Sequence, residues 1–378
     1  MHKLYYEYLN TLKVKGKYRQ LQSNLHKNFI DFSTNDYLGL SKSKVVFAAA
    51  QSAGKQFGVG STGARLLSGN KQLFEDFEST IAQDKKTESA LIFNSGFQAN
   101  MTVLASLLDQ SVLGHKPIVF FDKLNHASLY QAVFSSHAEL IRYHHNDMNH
   151  LSKLLTKCKD DRRPKFIVTE TIFGMDGDIV PMDEIFKLSK EHEAFLYLDE
   201  AHATGIIGHD GYGLSTNINL QEIPHLTLGT FSKALGCFGA YVSCSNIIKH
   251  YLINKCSGFI YSTSLSPMLI GAAAKAWDLI RHLADQRQAL SFKAQKLRSN
   301  LQKLGFNIGH SMTHIIPIIL GNETHAMHAK EKLLKNGLMV SAIRPPTVPP
   351  GTSRLRIALN ASHTDSNLDY LVDIIKQI

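Results

Sequence analysis

Ala194-Phe195-Leu196-Tyr197-Leu198-Asp199-Glu200-Ala201-His202 carries apolar residues without a break into two carboxylates and a histidine. A strand with one wet face alternates apolar and polar residues. This run does not, so it reads as a strand buried on both faces. The same character recurs at 89–96 (SALIFNSG), 117–122 (PIVFFD), 165–173 (KFIVTETIF), 225–230 (HLTLGT) and 239–245 (GAYVSCS). Helical stretches lie between them, at 96–108 and at 181–192, the latter with Pro181 at its start. Apolar strands alternating with helices predict an α/β fold with a mostly parallel central sheet. Upstream, 1–28 reads as a polar, partly helical lead-in. FIDFSTNDYLGL (29–40) then gives a short strand that ends in a turn at Asn35, Asp36 and Gly39. Residues 265–300 are helical in pattern, and the tail mixes helices with strands at 314–320, 338–343 and 354–359. The expected organisation is an N-terminal segment (1–42), a large domain (43–278) and a smaller C-terminal α+β domain (279–378).

Ligands of open α/β sheets bind beyond the carboxyl ends of the strands. Those ends carry Asn94-Ser95-Gly96, Asp122 to His126, Thr169-Glu170, Asp199 to His202 and Thr230 to Lys233. Lys233 lies in LGTFSKALG (228–236), framed by small residues. An amine in a tight, mostly apolar pocket loses its proton more easily and can form a Schiff base with an aldehyde cofactor such as pyridoxal phosphate. The alternative is a lysine in a flexible glycine turn. Such a cofactor asks for a carboxylate at its ring nitrogen, amides at its phosphate and something flat against its ring. Asp199 suits the first need, though a cap or turn role is open to it. Ser95-Gly96-Phe97 opens a helix directly after a strand and suits the second. His126 could lay an imidazole on the ring or be a structural loop histidine.

The 378 residues include 44% hydrophobic ones and carry a net charge of +9 with pI near 9.2. Lys and Arg are spread along the chain, which reads as solubility and attraction of small anions rather than nucleic-acid binding. Cys158, Cys237, Cys244 and Cys256 form no C-x-x-C pair, and free thiols in a reducing cytosol are expected. The N-terminus lacks a secretory pattern, and no window of about 18 apolar residues predicts a spanning helix, so a cytoplasmic protein without a membrane partner is expected. Three motifs mislead. Gly58-Val59-Gly60-Ser61-Thr62-Gly63 matches a dinucleotide fingerprint but follows a helical run instead of a strand. Asp199-Glu200-Ala201-His202 spells a helicase motif, yet the chain has no G-x-x-x-x-G-K-[ST]. His144-His145 has no partners at metal-ligand spacing, so no metal is expected.

DFSTNDYLGL, GARLLSGN, FNSGFQAN, LNHASL, TETIFGMDGD, LDEAHATGIIG, GTFSKALG, IYSTSLSP and AIRPPTVPPGTSRLRIAL follow one another in this chain. In this order they resemble the α-oxoamine synthases, a group of fold-type-I pyridoxal-phosphate enzymes, from about Asp31 to about Thr364. The resemblance implies that Lys233 holds the cofactor aldehyde and later moves the substrate α-proton. It implies that Asp199 pairs with the ring nitrogen, His202 meets the ring hydroxyl and His126 stacks. Ser95, Gly96 and Phe97 with Thr230 would hold the phosphate. Ser262 or Thr263 would reach the phosphate of a neighbouring subunit, making a homodimer with shared sites. Arg356 would bind the amino-acid carboxylate, for which an arginine fork is well suited. Asn35 and Thr347 would border the substrate, and Arg19 would meet the far end of the acyl chain.

Within the family, the segment Ile343 to Thr352 points to condensation of L-alanine with a pimeloyl thioester of CoA or acyl carrier protein. Relatives using glycine or serine, or longer acyl chains, are the alternative. A cofactor-binding DNA regulator would need more chain before residue 31. Gly174 departs from the family, where many members carry Ser before M-D-G-D; read beside the resemblance, this removes a hydroxyl close to the expected cofactor and with it a neighbouring hydrogen bond.

Overall fold

A computed structural model describes residues 1–19, 21 and 29–378. Two compact units arise. One comprises Asn35–Gly174 and Ile179–Arg287, the other Met1–Thr34, Met175–Asp178 and Gln288–Ile378. The strands in chain order are β1 (Ile30–Asp31), β2 (Ser89–Phe93), β3 (Ile118–Asp122), β4 (Glu139–Tyr143), β5 (Lys165–Glu170), β6 (Phe195–Asp199), β7 (His225–Thr230), β8 (Ala240–Cys244), β9 (Ile315–Gly321), β10 (Leu338–Met339), β11 (Ser341–Ile343) and β12 (Ser353–Ala358).

The larger unit holds a seven-stranded sheet in the order β2-β8-β7-β6-β5-β3-β4. All its pairings are parallel except those of β8, which runs antiparallel to β2 and β7. Successive side chains of a strand point to opposite faces, and both faces are covered. Val119, Phe121, Val168, Tyr197 and Leu228 pack on one side with Ala99, Val103 and Leu104 of the helix Gly96–Leu107. Ile118, Phe120, Ile167, Leu196 and Leu198 pack on the other with Met182, Ile185 and Leu188 of the helix Met182–Glu191. Each such large side chain contributes roughly 1.5–3 kcal/mol by leaving water. This two-sided burial is the physical origin of the unbroken apolar runs. The sequence expectation omits β4, whose residues Glu139 to Arg142 are only partly buried or exposed. It is an edge strand, and an edge needs no unbroken apolar run.

Because β3, β5, β6 and β7 are parallel, they deliver Asp122, Glu170, Asp199 and Thr230 to one edge of the sheet. Just beyond that edge Glu200, wholly buried, is paired with the equally buried Lys85 and accepts from Ser215 N at 2.8 Å. Its role is to tie the 212–215 segment down, which accounts for the helicase-like spelling. The glycines at 58–63 follow the helix Lys44–Phe57.

In the smaller unit β9, β12 and β11 form an antiparallel sheet in the order β11-β12-β9. β1 joins this unit by pairing with β10 (Ile30 with Leu338, Asp31 with Met339). His363 closes the same seam. Its ring stacks on Phe32 with centroids 4.2 Å apart, Nδ1 accepts from Asn360 N at 3.1 Å, and Nε2 lies 3.1 Å from Asp31 O. A neutral ring satisfies both contacts, whereas a second ring proton would face the Asn360 N–H. Desolvation dominates and holds the His363 pKa down to about 4, against the raising effect of Asp31. In the unfolded chain the ring takes a proton near its ordinary value of about 6.5. The stability this group contributes is therefore present above pH ~6.5 and is lost as pH falls toward ~4, by up to roughly 3 kcal/mol. Urea denaturation at several pH values should show this loss in the parent and a shallower decline in His363→Gln. Parallel pH profiles for the two would rule the assignment out.

Candidate active site

At the end of β2 the chain turns into the helix Gly96–Leu107, capped by Ser95, whose hydroxyl accepts from Gln98 N at 3.2 Å. A helix start presents free N–H groups and a partial positive charge. Gly96 is needed here for space, since a Cβ would lie 2.6 Å from the Thr230 methyl at the end of β7. Ser95, Gly96, Phe97 and Thr230 are thus brought together. Ser262 joins them from the same chain: Gln98 Nε2 donates to its hydroxyl at 2.5 Å, and Asn94 Nδ2 donates to Thr263 O at 2.8 Å. The Thr263 side is exposed.

Asp199 is 4% exposed at the end of β6. Its Oδ2 accepts from Asn100 Nδ2 at 2.6 Å and its Oδ1 from Ala201 N at 2.9 Å. Glu170 ends the neighbouring strand as its Cα partner. Glu170 is held well above the ordinary carboxylate range, first by desolvation and next by the Asp199 charge, with Lys233 opposing. His126 caps the helix Ala127–Ser136, with Nδ1 2.7 Å from Ser128 Oγ and 3.3 Å from Ser128 N. The Phe97 ring meets it edge-on, centroids 6.4 Å apart. Desolvation lowers the His126 pKa; Asp199 opposes this and Lys233 adds to it. His126, Asp199, Glu170 and Lys233 therefore share one electrostatic neighbourhood.

Lys233 stands on the connection between β7 and β8, half-buried. Phe231 N to Gly239 O (2.9 Å), Cys237 N to Phe231 O (2.8 Å) and Gly236 N to Lys233 O (2.8 Å) fold that connection back on itself. Gly236 is required, with φ +63 and the Ser41 backbone N only 2.2 Å from where a Cβ would sit. His202 Nδ1 lies 2.7 Å from the Tyr37 hydroxyl, which donates to Asn35 Oδ1 at 3.1 Å. The Tyr37 hydroxyl thus bridges Asn35 and the His202 ring and fixes the edge that the imidazole presents. The space beyond Nε2 belongs to Gly174, where a Cβ would come within 2.3 Å of that nitrogen. The missing family serine is thus a matter of room: this chain holds its histidine where a serine side chain would begin.

The remaining expected residues belong to the smaller unit. Arg356 and Arg354 lie two apart on one face of β12, both buried. Arg354 is engaged by Asp176 at 2.5 Å and by Met175 O at 3.3 Å. Thr347 Oγ1 accepts from Arg19 Nη2 at 3.3 Å, which pairs those two expectations. His145, from the histidine pair, contacts Asp122 Oδ1 at 2.9 Å.

Sequence reasoning gave no role to Asn100, Ser128, Tyr37 or Glu170, although each falls in or beside a motif. For Asn100 a usable signal existed, a carboxamide flanked by Ala99 and Met101 on a helix that follows a buried strand, since buried polar groups are there for a partner. Together the edge offers a carboxylate held by two donors, a primary amine, two imidazoles and an open helix start. That donor set fits pyridoxal phosphate. It can bind an anion, hold a proton at a ring nitrogen and move a proton at carbon.

The aminotransferase class I and II family model matches residues 27–375. A protein of Paramagnetospirillum magneticum named "Putative 8-amino-7-oxononanoate synthase" is 46% identical over 349 residues, covering 92% of this chain and 88% of that one. One of the same name from Magnetococcus marinus is 40% identical, covering 98% and 96%. Among solved structures, the serine palmitoyltransferase of Sphingomonas wittichii superposes with TM-score 0.87 at 29% identity, covering 93% and 87%. An 8-amino-7-oxononanoate synthase from Francisella tularensis does so with TM-score 0.78 at 28% identity, covering 93% and 97%. With a family model spanning most of the chain and relatives above 30% identity along more than nine-tenths of it, the chain belongs to the aminotransferase class I and II family and, within it, to the α-oxoamine synthases, pyridoxal-phosphate-dependent acyltransferases.

Proposed function

We propose that this chain binds pyridoxal phosphate at the β-strand edge and condenses L-alanine with a pimeloyl thioester of CoA or acyl carrier protein, the 8-amino-7-oxononanoate synthase reaction. The observation that carries the cofactor reading is the meeting of Asp199, Lys233 and His126 beside the helix start at Gly96. The substrate reading rests on the relatives at 46% and 40% identity. When bound, the cofactor supplies an aldehyde for amines and a ring that accepts an electron pair.

The chain's residues then divide the work. The helix start and Thr230 bind the phosphate. Asp199 holds a proton at the ring nitrogen, and His202 orients the ring hydroxyl. His126 covers the ring face. Lys233 anchors the aldehyde, then takes the proton from Cα of alanine and later returns one. Over the whole reaction a C–C bond forms to the thioester carbonyl carbon, the thiol leaves and the alanine carboxylate departs as CO2. For Arg356 we propose the carboxylate-binding role, and for Asn35, Thr347 and Arg19 contacts to the substrate. In a homodimer Thr263 is better available to a second copy than Ser262, whose hydroxyl is engaged by Gln98.

A second reading, serine with a long fatty acyl thioester, is favoured by the structural likeness to serine palmitoyltransferase. A panel of alanine, glycine and serine against pimeloyl-CoA, pimeloyl carrier protein and palmitoyl-CoA separates the two. The highest kcat/KM is expected for alanine with a pimeloyl thioester. A maximum for serine with palmitoyl-CoA would replace the first reading by the second.

Gly174→Ser tests the positioning of His202. The added Cβ must push the ring away from Tyr37. A hydrogen bond of ordinary net worth is lost, and kcat should fall by about 10-fold. An unchanged kcat would show that the ring can yield without cost.

A further inference from the structure

Resting on the cofactor reading above, we propose that Asn100 is a positioning residue that fixes the proton arrangement of the two groups that would meet the cofactor ring, holding the Asp199 carboxylate directly and the His126 imidazole through Ser128. Asn100 is 3% exposed on the helix Gly96–Leu107, with apolar Ala99, Val103 and Leu104 around it in sequence. Its carboxamide makes three contacts. Oδ1 accepts from Tyr197 OH at 2.9 Å, and Nδ2 donates to Asp199 Oδ2 at 2.6 Å and to Ser128 Oγ at 3.0 Å. An NH2 group has two protons, so both donations are made at once. A flipped amide would turn its oxygen on the Asp199 carboxylate, so the orientation is set.

The consequence travels through Ser128. Its oxygen is occupied as an acceptor from Asn100, so its own proton is free for His126 Nδ1, 2.7 Å away. Ser128 N adds a second donor to the same nitrogen at 3.3 Å. Nδ1 is therefore an acceptor, and the proton of a neutral His126 resides on Nε2. The charges acting on that ring are Asp199 and Lys233, and Glu170 lies in the same neighbourhood, its carboxyl influenced by both. A neutral imidazole can lie on a ring that carries a proton at its nitrogen, whereas an imidazolium would repel it. Asn100 thus keeps a donor on the Asp199 carboxylate and, through Ser128, the His126 proton on Nε2, the arrangement in which Asp199 would hold a proton at the ring nitrogen of a bound cofactor.

The test uses the full-length protein. Ring 15N shifts of His126, assigned by comparison with His126→Gln, are read first without cofactor in the parent, Asn100→Ala, Asn100→Asp and Ser128→Ala. The parent is expected to show the Nε2–H tautomer alone. Asn100→Ala and Ser128→Ala should show mixed tautomers. With cofactor bound, Asn100→Ala and Asn100→Asp should lose about 10-fold or more in kcat with KM for alanine changed less than about 3-fold. Asn100→Asp should be the more damaged of the two, since it sets a second carboxylate against Asp199. A pure Nε2–H tautomer in both Asn100→Ala and Ser128→Ala, or in Ser128→Ala where Asn100→Ala does not fold, would overturn the proposal. So would a parent that is not in that tautomer. Ser128→Ala leaves the Asp199 contact in place and keeps the test decisive if Asn100→Ala does not fold. The NMR result needs neither cofactor nor substrate. A parent without acyltransferase activity would therefore defeat the functional reading alone.

Discussion

Glu170 and Asp199 end neighbouring parallel strands as Cα partners, and both are buried. Two carboxylates so close, out of water, cannot both stay charged at modest cost. The structure divides them by their donors. Asp199 receives the Asn100 amide and the Ala201 N–H, while desolvation and the Asp199 charge push the proton affinity of Glu170 well up. Two like groups are set apart by their surroundings, which is how one site comes to hold an acid and a base together. His126, Lys233 and the helix start at Gly96 are placed around Asp199.

That arrangement depends on the sheet. Parallel strands bring their carboxyl ends to one edge, and continuous burial of both faces fixes their register, because a slip of one residue would exchange the two faces. This is why residues 194–202 are so informative. The apolar run, the two-sided burial and the position of Asp199 are the same fact seen at three levels. The buried Lys85–Glu200 pair just beyond it stiffens the neighbouring turn. Adjacent carboxylates in one motif thus do different work: Asp199 faces the site and Glu200 the fold.

Periodicity and turn chemistry made the central strands, the helix start after β2 and Lys233 legible in the sequence. Three things were not legible, each for a physical reason. The edge strand β4 is half-wet and carries no unbroken apolar run. The pairing of β1 with β10 joins residues about 308 apart, and no local pattern reports such a contact. The roles of Asn100, Tyr37 and Ser128 arise from side chains meeting across elements, so their motifs mark the place without stating the partner. Gly174 is instructive in the other direction. Read as a missing hydroxyl, it looked like a loss; in three dimensions it is the space that lets His202 reach Tyr37.

The central claim is that Lys233, among 41 lysines and arginines, is the amine that holds the cofactor. Loading the protein with pyridoxal phosphate, reducing it with borohydride and mapping the peptides by mass spectrometry addresses this directly. A single phosphopyridoxyl group on the peptide containing Lys233 is predicted. A label at another lysine, with Lys233 unmodified, would contradict the account.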